Sequence, residues 1–394
     1  MRIISYPGHW KSFIFTHVKL LFFLCTAALA LAEDEPKDNI RRYEGTIGKD
    51  LAITLTLHST GNDTGGEDYT GSYAYKKIGT PIALTQPEEK STTTVFLENE
   101  HWDGDKTIFT GKWKVKIEGD KITGTWSSSD GKKSLPITLT ESYPAGSFRV
   151  EMIHYECSWS RKRDRKEIGD SKAVDLLQFK GDAPGLPAIN ATLRKVAWEG
   201  AGELWGEEKP KAPAEVSLAD VEKAASTKEP AAIDWEEAYL GSQSSTMNVV
   251  MNESNLICVS VVNSAYTGGA HENYGTSHLT FDAETGKPLK LEDLVNPGFE
   301  NRWATLGAIE IRTACGQKPS SPLTESGLFE DKLELNQNWF LTPGGIGFSY
   351  DPYEIASFAQ GIVEFTLPWK AITADLKPDT RVEELAKSVL GKSE

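Results

Sequence analysis

The chain is short of cysteine, of histidine and of positive charge. It has 4 cysteines and 7 histidines in 394 residues, and 42 basic residues against 57 acidic ones. So few cysteines exclude a scaffold held together mainly by disulfides. The formal net charge of −15 argues against nucleic acid as a partner, because that affinity depends on cations that neutralise phosphates. An acidic chain is instead suited to a basic partner protein.

Only one stretch is strongly apolar, and it lies at the N-terminus. The run LLFFLCTAALALA follows Arg2, Lys11 and Lys19 and ends in a small-x-small sequence before Glu33. This pattern predicts a signal peptide over residues 1–32, with cleavage near Ala32 and export to the periplasm or the cell exterior. The run is shorter than the roughly 20 apolar residues that a membrane span needs, and no later segment is apolar enough. We therefore expect a chain that does not span a membrane.

Loss of this leader lowers the formal net charge from −15 to −18 and leaves three cysteines, Cys157, Cys258 and Cys315. Export permits a disulfide, so one bridge is possible among these three, and the sequence does not decide which pair forms it. The histidines form no HExxH pair, and His154 with Cys157 is an isolated fragment of a zinc motif. We predict no metal site and no cofactor.

Residues 33–42 are polar and aperiodic and predict a linker, after which the pattern is one of strands and turns. The segment LAITLTL alternates apolar and polar residues with the period of a half-buried strand. A short motif recurs as TGSY, TGKW and TGTW, ending at Tyr73, Trp113 and Trp126. These features predict an antiparallel, barrel-like meander of about eight strands over 43–146, with the aromatic side chains in its core.

After residue 146 the pattern changes to mixed helix and strand. Helices are predicted from apolar spacing and capping residues at 187–200, 217–226, 301–314 and 381–390. The helix at 301–314 is expected to bury Trp303, Leu306 and Ile309. Paired strands are predicted in TMNVVMNE and NLICVSVVNSAY, the second covered on both faces. The expected fold is α+β, with the barrel followed by an α/β domain over 147–394 whose mixed or antiparallel sheet is packed by helices.

Three C-terminal segments carry a resemblance to a known family. They are YTGGAH (266–271), FDAETGKPLKLEDL (281–294) and FLTPGGIGFSYDPYEIASFAQG (340–361). These motifs resemble the extracellular domain of the anti-sigma factor RsiV and its secreted relatives, a family of mostly unassigned function. The resemblance is strongest over 235–369 and implies the fold of that domain. In RsiV this domain binds lysozyme and performs no catalysis, which implies recognition of a secreted protein such as lysozyme.

The segment SAYTGGAHENYG admits two interpretations of His271. A catalytic base needs a nucleophile and an orienting acid, and the neighbouring hydroxyl residues follow no GxSxG pattern. The structural interpretation is favoured, in which Gly268 and Gly269 permit a sharp bend and His271 fixes it by hydrogen bonding to backbone. In the second loop, Asp351 is expected to accept hydrogen bonds from the N–H groups of its own turn.

Both loops are expected to connect strands of one sheet and to meet at its edge, where four aromatic rings would form a surface. The predicted binding residues are the rings and the residues that shape the loops: Tyr266, Gly268, Gly269, His271, Tyr274, Asp351, Tyr353 and Phe358. The expected function is non-catalytic recognition at the cell envelope, of a wall glycan or of a secreted protein such as lysozyme. Two alternatives stay open, a peptidoglycan hydrolase that uses His271 and nearby acids, and a structural accessory protein without a ligand.

Overall fold

The computed structural model describes residues 2–4, 39–61, 67–87, 94–99, 101–103, 106–202, 213–227 and 239–391. Most of the predicted leader and residues 33–38 of the predicted linker lie outside the described residues. In the part that is described, the strands are β1 (Arg2–Ile4), β2 (Ile40–Ile47), β3 (Leu51–Gly61), β4 (Glu67–Tyr75), β5 (Ile82–Thr85), β6 (Thr94–Glu98), β7 (His101–Asp103), β8 (Lys106–Ile108), β9 (Gly111–Glu118), β10 (Lys121–Ser128), β11 (Ser134–Glu141), β12 (Arg149–Arg163), β13 (Lys166–Lys180), β14 (Leu240–Glu253), β15 (Leu256–Tyr266), β16 (Asn273–Asp282), β17 (Trp339–Thr342), β18 (Gly345–Tyr350) and β19 (Ile362–Pro368). The helices are α1 (Leu186–Gly202), α2 (Leu218–Ala224), α3 (Leu291–Leu294), α4 (Glu300–Ala314), α5 (Trp369–Ile372) and α6 (Arg381–Gly391).

Eight antiparallel strands close into a barrel, as predicted. Their order is β2-β3-β4-β5-β6-β9-β10-β11, and β11 returns to pair with β2. The alternating residues Ile53, Leu55 and Leu57 of β3 are buried in the barrel core. Strand β2 begins at Ile40, so the last three residues of the predicted linker belong to the barrel instead. Ile40 is buried against the core of the following sheet, a contact that the polar composition of 33–42 does not reveal.

The three TG motifs converge on one buried carboxylate. The Tyr73 hydroxyl and the indole N–H groups of Trp113 and Trp126 donate hydrogen bonds to Glu98 Oε1, at 2.8, 2.7 and 2.6 Å. Glu98 is only 3% exposed. Gly111 allows this approach, because a Cβ atom there would lie 2.1 Å from Glu98 Oε2. Tyr73 and Trp113 are core residues, as predicted, Trp126 packs against that core, and all three donate to the carboxyl group of Glu98.

The barrel sheet continues into the C-terminal half of the chain. Strands β12 and β13 form a long antiparallel hairpin, β13 pairs in parallel with β14, and β15 and β16 follow antiparallel. Helix α1 covers this sheet with Ile189, Leu193 and Ala197, all fully buried. Strand β15 lies between β14 and β16, and residues 256–261 are buried on both faces. The predicted mixed sheet packed by helices is therefore confirmed, and with it the α+β fold class.

A second, four-stranded antiparallel sheet packs on this C-terminal half. Its order is β1-β19-β18-β17, and β1 pairs only with residues 362–364 at the edge. Helix α4 covers the sheet and buries Trp303, Gly307, Ala308 and Ile311. Trp303 is buried as predicted, whereas Leu306 and Ile309 are only half-buried, because the helix turns Ala308 and Ile311 into the core instead. Within the described residues, no helix has the length and apolar character to cross a membrane.

The barrel is attached to the rest of the protein at more than one point. Asn39 Oδ1 accepts a hydrogen bond from Met152 N at 2.8 Å, and Asn39 Nδ2 donates to Met152 O at 3.1 Å. Elsewhere a barrel turn meets the β17–β18 turn so closely that a Cβ atom on Gly79 would lie 2.2 Å from Gly344 N. These contacts fix the barrel against both C-terminal sheets.

Cys157, Cys258 and Cys315 are all free thiols, so the disulfide considered possible among them is not formed. Cys258 is fully buried in β15, where its Sγ accepts a hydrogen bond from Leu341 N at 3.4 Å. Burial raises the pKa of this thiol to about 11, so it is protonated and unreactive at neutral pH. Cys157 lies on β12, and Cys315 lies at the C-terminal end of α4.

We expect Glu98→Ala to lower the free energy of unfolding by about 3 kcal/mol or more, because two buried donors and one half-buried donor lose their common acceptor. Trp126→Phe removes one donor and should cost about 1 kcal/mol. Glu118→Ala is the matched control, since Glu118 is exposed and forms an ion pair with exposed Lys116. Denaturant unfolding measures all three. Equal losses for Glu98→Ala and Glu118→Ala would contradict the role of this carboxylate.

Candidate functional site

The two loops that carry the motifs meet at one surface, although they belong to different sheets. Residues 267–272 connect β15 to β16 in the large sheet, and residues 351–361 connect β18 to β19 in the four-stranded sheet. The prediction that both loops lie in one sheet is therefore wrong. Alternation along a strand shows which residues share a face, but it does not show which sheet the strand joins. The loops meet because β16 packs against β17 and β18.

Three rings, those of His271, Tyr274 and Tyr353, gather around Phe358. Its ring stacks on that of His271, with 3.8 Å between the centroids, and the rings of Tyr274 and Tyr353 lie 5.4 and 5.9 Å from it. We name His271, Tyr274, Tyr353 and Phe358 the aromatic surface. Tyr266 lies apart from these ring contacts, since its hydroxyl donates to the backbone oxygen of Gly269 at 3.0 Å. The structure thus brings together three of the four rings expected to meet and adds His271.

The first loop is shaped as its sequence suggests. Gly268 and Gly269 have φ angles of 85° and 111°, a region that favours glycine. His271 Nδ1 lies 2.7 Å from the backbone oxygen of Glu272. Among the residues that the structure describes, no carboxylate or hydroxyl side chain is hydrogen-bonded to His271. This geometry supports the loop-ordering interpretation of His271 and provides no catalytic arrangement around it.

The second loop contains a strained tyrosine. Tyr353 has a φ of 71°, which costs a non-glycine residue about 1–3 kcal/mol, and its side chain is 60% exposed. The turn is closed by hydrogen bonds from Tyr353 N to Ala356 O at 2.9 Å and from Asp351 N to the Glu354 carboxylate at 3.0 Å. Glu354, and not Asp351 as predicted, accepts this turn N–H. Strain that holds an aromatic ring outward is typical of functional positions.

Asp351 is turned towards β16 instead and links the two sheets. Its Oδ1 accepts a hydrogen bond from Thr276 N at 2.7 Å. Gly275 makes room for it, because a Cβ atom there would lie 2.7 Å from Asp351 Oδ2. Burial raises the pKa of the Asp351 carboxyl, and the nearby charge of Glu354 raises it further.

A cleft of about 420 Å³ opens beside the aromatic surface, and every residue that lines it is polar. We name the lining residues the polar cleft: Thr276, Ser277, His278, Asn336, Gln337, Asn338, Asp351 and Glu354. Asn338 Nδ2 donates to Thr276 O at 2.6 Å, and Asn338 Oδ1 lies 2.9 Å from His278 Nδ1. The His278 proton therefore resides on Nδ1. Burial lowers the pKa of His278 to about 4, so the ring is uncharged at neutral pH.

Sequence reasoning missed most of the polar cleft. Asn336 and Asn338 precede the motif FLTPGG and lie outside the segments that carry the resemblance. A signal was present in their spacing, since two amides separated by one residue directly before a buried strand point to a structured polar loop. No sequence pattern indicated that His278 is buried, because its burial depends on β17 of the other sheet. The centroid of the Phe340 ring on β17 lies 4.7 Å from that of the His278 ring.

One protein family matches part of this chain. Residues 292–370 match the family described as "Protein of unknown function (DUF3298)". The match contains the polar-cleft residues from Asn336 onwards, together with Tyr353 and Phe358, whereas His271 and Tyr274 lie before it. None of the curated proteins matches the chain. The family description states no ligand, so the lysozyme-binding identity implied by the resemblance to RsiV is not confirmed.

Two solved structures are similar to the chain, both described as DUF3298 family proteins. One, from Bacteroides fragilis, is 20% identical with a TM-score of 0.48, and the similarity covers 62% of this chain and 98% of that one. The other, from Pseudomonas aeruginosa, is 21% identical with a TM-score of 0.43 and covers 59% of this chain and 95% of that one.

We expect Gly275→Ala to lower the free energy of unfolding by about 1–3 kcal/mol, because the added Cβ atom displaces Asp351. Combining it with Asp351→Ala removes the clash, so the double variant should lose less than the sum of the single variants. Denaturant unfolding of the four chains gives this coupling. Gly391→Ala is the control, since nothing lies within 4 Å of a Cβ atom there. Additive losses would contradict the packing of Asp351 on Gly275.

Stability should fall as the pH is lowered from about 6.5 towards about 4, because the unfolded chain binds a proton that buried His278 resists. His278→Gln should flatten this part of the stability profile. Two other histidines also contribute to the pH dependence, since burial lowers the pKa of His58 and the hydrogen bond to Asp175 raises that of His154. The contribution of His278 is therefore the difference between the profiles of the wild-type and His278→Gln chains. Identical pH profiles for both chains would show that His278 does not titrate in this way.

Proposed function

We propose that this chain is an exported, non-catalytic recognition protein of the cell envelope, which binds a basic secreted protein such as lysozyme at the aromatic surface. The observation that carries the proposal is the cluster of rings around Phe358, built from two loops and open to solvent. Exposed aromatic side chains that become buried on association supply much of the affinity of protein interfaces. Tyr353, held outward by a strained backbone, is positioned as such an anchor.

Charge around the aromatic surface supports a basic partner. The pKa of Tyr274 is raised first by burial and then by the charges of Glu272 and Asp351, which lie near its hydroxyl. Glu354 follows Tyr353 directly and is exposed. The whole chain carries a formal net charge of −15. Carboxylates beside apolar anchors attract a basic protein and speed its association.

Two further features agree with a protein partner. Phe329 is 54% exposed, and its N–H donates to Ile355 O at 2.9 Å, which places another exposed ring beside the Tyr353 turn. The resemblance to the extracellular domain of RsiV implies the same class of partner.

A wall glycan is the second candidate, and the polar cleft is the observation that favours it. Amide and carboxylate groups beside exposed rings suit a ligand that combines hydroxyl groups with an apolar face. The hydrolase alternative draws no support from His271, whose hydrogen bond goes to backbone. The carboxylates of Asp351 and Glu354 both accept backbone N–H groups in the folded chain. The accessory-protein alternative does not explain why Tyr353 is exposed in a strained turn.

The test is binding of the full chain to purified C-type lysozyme and to insoluble peptidoglycan, at low and at physiological salt. We expect saturable lysozyme binding that persists at physiological salt. Tyr353→Ala and Phe358→Ala should each weaken it at least about tenfold, because they remove rings that association would bury. Leu51→Ala is the matched control, since Leu51 is 46% exposed on the barrel.

Lysozyme binding that disappears with salt would show only attraction between opposite charges and would contradict a specific interface. If Leu51→Ala weakened lysozyme binding as much as Tyr353→Ala and Phe358→Ala do, the aromatic surface would not be the binding site. Binding to peptidoglycan alone, lost in the Phe358 variant, would replace the protein partner with the glycan.

A further inference from the structure

The polar side chains at the base of the polar cleft are largely engaged with one another. Asn338 connects His278 to Thr276, as described above. Asn336 Nδ2 donates to Glu354 Oε1 at 2.8 Å and to the backbone oxygen of Ser349 at 2.7 Å. These amides therefore hold the cleft in shape and fix one edge of the Glu354 carboxylate.

Two oxygens of the cleft have no hydrogen-bond partner among the described residues. They belong to Asp351 and Thr276, the two residues that the hydrogen bond from Thr276 N to Asp351 Oδ1 joins. Asp351 Oδ1 accepts from Thr276 N, whereas Asp351 Oδ2 takes part in no hydrogen bond among the described residues. Thr276 is 8% exposed, and its Oγ1 is buried with no hydrogen-bond partner. Its side chain lies on the same face of β16 as those of Tyr274 and His278, two residues to either side. A buried hydroxyl without a partner costs about 1–3 kcal/mol, so a hydrogen-bond donor from outside the chain would be favourable at this position.

The negative charge of the polar cleft is not balanced by a positively charged side chain among its described lining residues. Asp351 and Glu354 supply two carboxylates, and among the described residues no lysine or arginine lines the cleft. His278 does not supply the positive charge either, because burial lowers its pKa to about 4. A positively charged ligand would relieve the repulsion between the two carboxylates.

We infer that the polar cleft binds a primary ammonium group, whose N–H donors bond to Asp351 Oδ2, Thr276 Oγ1 and the Glu354 carboxylate. An ammonium group carries one positive charge and three donors and has no acceptor, which complements these oxygens. A metal ion fits less well, since within the described residues no three His, Cys, Asp or Glu side chains are grouped so that they could hold one. Two sources carry this chemistry, the free amine of an amino sugar and the side chain of lysine.

This inference does not depend on the proposed function, because the polar cleft lies beside the aromatic surface and is built from other side chains. The full chain is titrated at constant ionic strength with glucosamine, with Nα-acetyl-lysine amide and with N-acetylglucosamine, and binding is followed by calorimetry. We expect saturable binding of at least one amine and none of N-acetylglucosamine, whose nitrogen is uncharged. The tighter-binding amine identifies the source.

Asp351→Asn should weaken amine binding at least about tenfold, because it removes the charge but keeps an oxygen for Thr276 N. Thr276→Val separates binding from folding, since valine keeps the branched shape and removes only the hydroxyl that has no partner. We expect an unchanged or higher melting temperature and several-fold weaker amine binding. Ser245→Ala is the matched control, because Ser245 Oγ is also buried without a partner but lies on β14 beside Gly200.

Three results would overturn the inference. One is the absence of amine binding, or equal binding of N-acetylglucosamine. Another is equal amine affinity in the wild-type and Asp351→Asn chains. The third is a Thr276→Val chain that loses stability and keeps its amine affinity, which would make the hydroxyl structural. A chain that binds the amine but not lysozyme would overturn the proposed function alone, and the reverse result would overturn only the ammonium site.

Discussion

The hydrogen bond from Thr276 N to Asp351 Oδ1 ties the two C-terminal sheets together at the place where both candidate binding features lie. On one side of it the loops bring His271 and Phe358 into contact, and on the other the polar cleft opens. The bond needs a glycine at 275, because any side chain there would enter the space of the carboxylate. The aromatic surface and the polar cleft are therefore two consequences of one packing constraint.

That constraint also explains why Asp351 and Glu354, the two acids of the second loop, accept hydrogen bonds from different elements. The Asp351 side chain points across to β16, so the Glu354 carboxylate is the side-chain acceptor within the turn. The turn is tight enough to hold Tyr353 at a φ of 71°. The second loop therefore presents the ring of Tyr353 to solvent and directs the carboxylate of Asp351 towards β16. One loop thus has both an apolar and an acidic part.

The sequence predicts local structure here better than it predicts meetings between distant segments. Alternation in LAITLTL and the apolar spacing of the helices place strands and helices within a few residues of their observed bounds, because both patterns depend on neighbours in the chain. The TG motifs indicate the barrel core, but the partner of their aromatic residues, Glu98, looks like any surface glutamate in the sequence. Its burial depends on strands that are adjacent only after the barrel has closed.

The candidate site shows the same limit. The rings and glycines of both loops could be named from their motifs, since unusual residue combinations mark them. Their sheet membership could not, and neither could the acceptor role of Glu354 nor the burial of His278, because each depends on contacts between β16 and the β17–β18 hairpin. The asparagines before β17 were within reach of sequence reasoning through their spacing.

The attachment of the barrel has a mechanical consequence. A domain joined to the next one only by a flexible linker samples a range of orientations relative to it. Here Asn39 binds the backbone of β12 and Gly79 touches the β17–β18 turn, so rotation of the barrel would break contacts at two separated points. The barrel therefore acts as a rigid arm of fixed length and direction. Anything it carries is held at one distance from the aromatic surface.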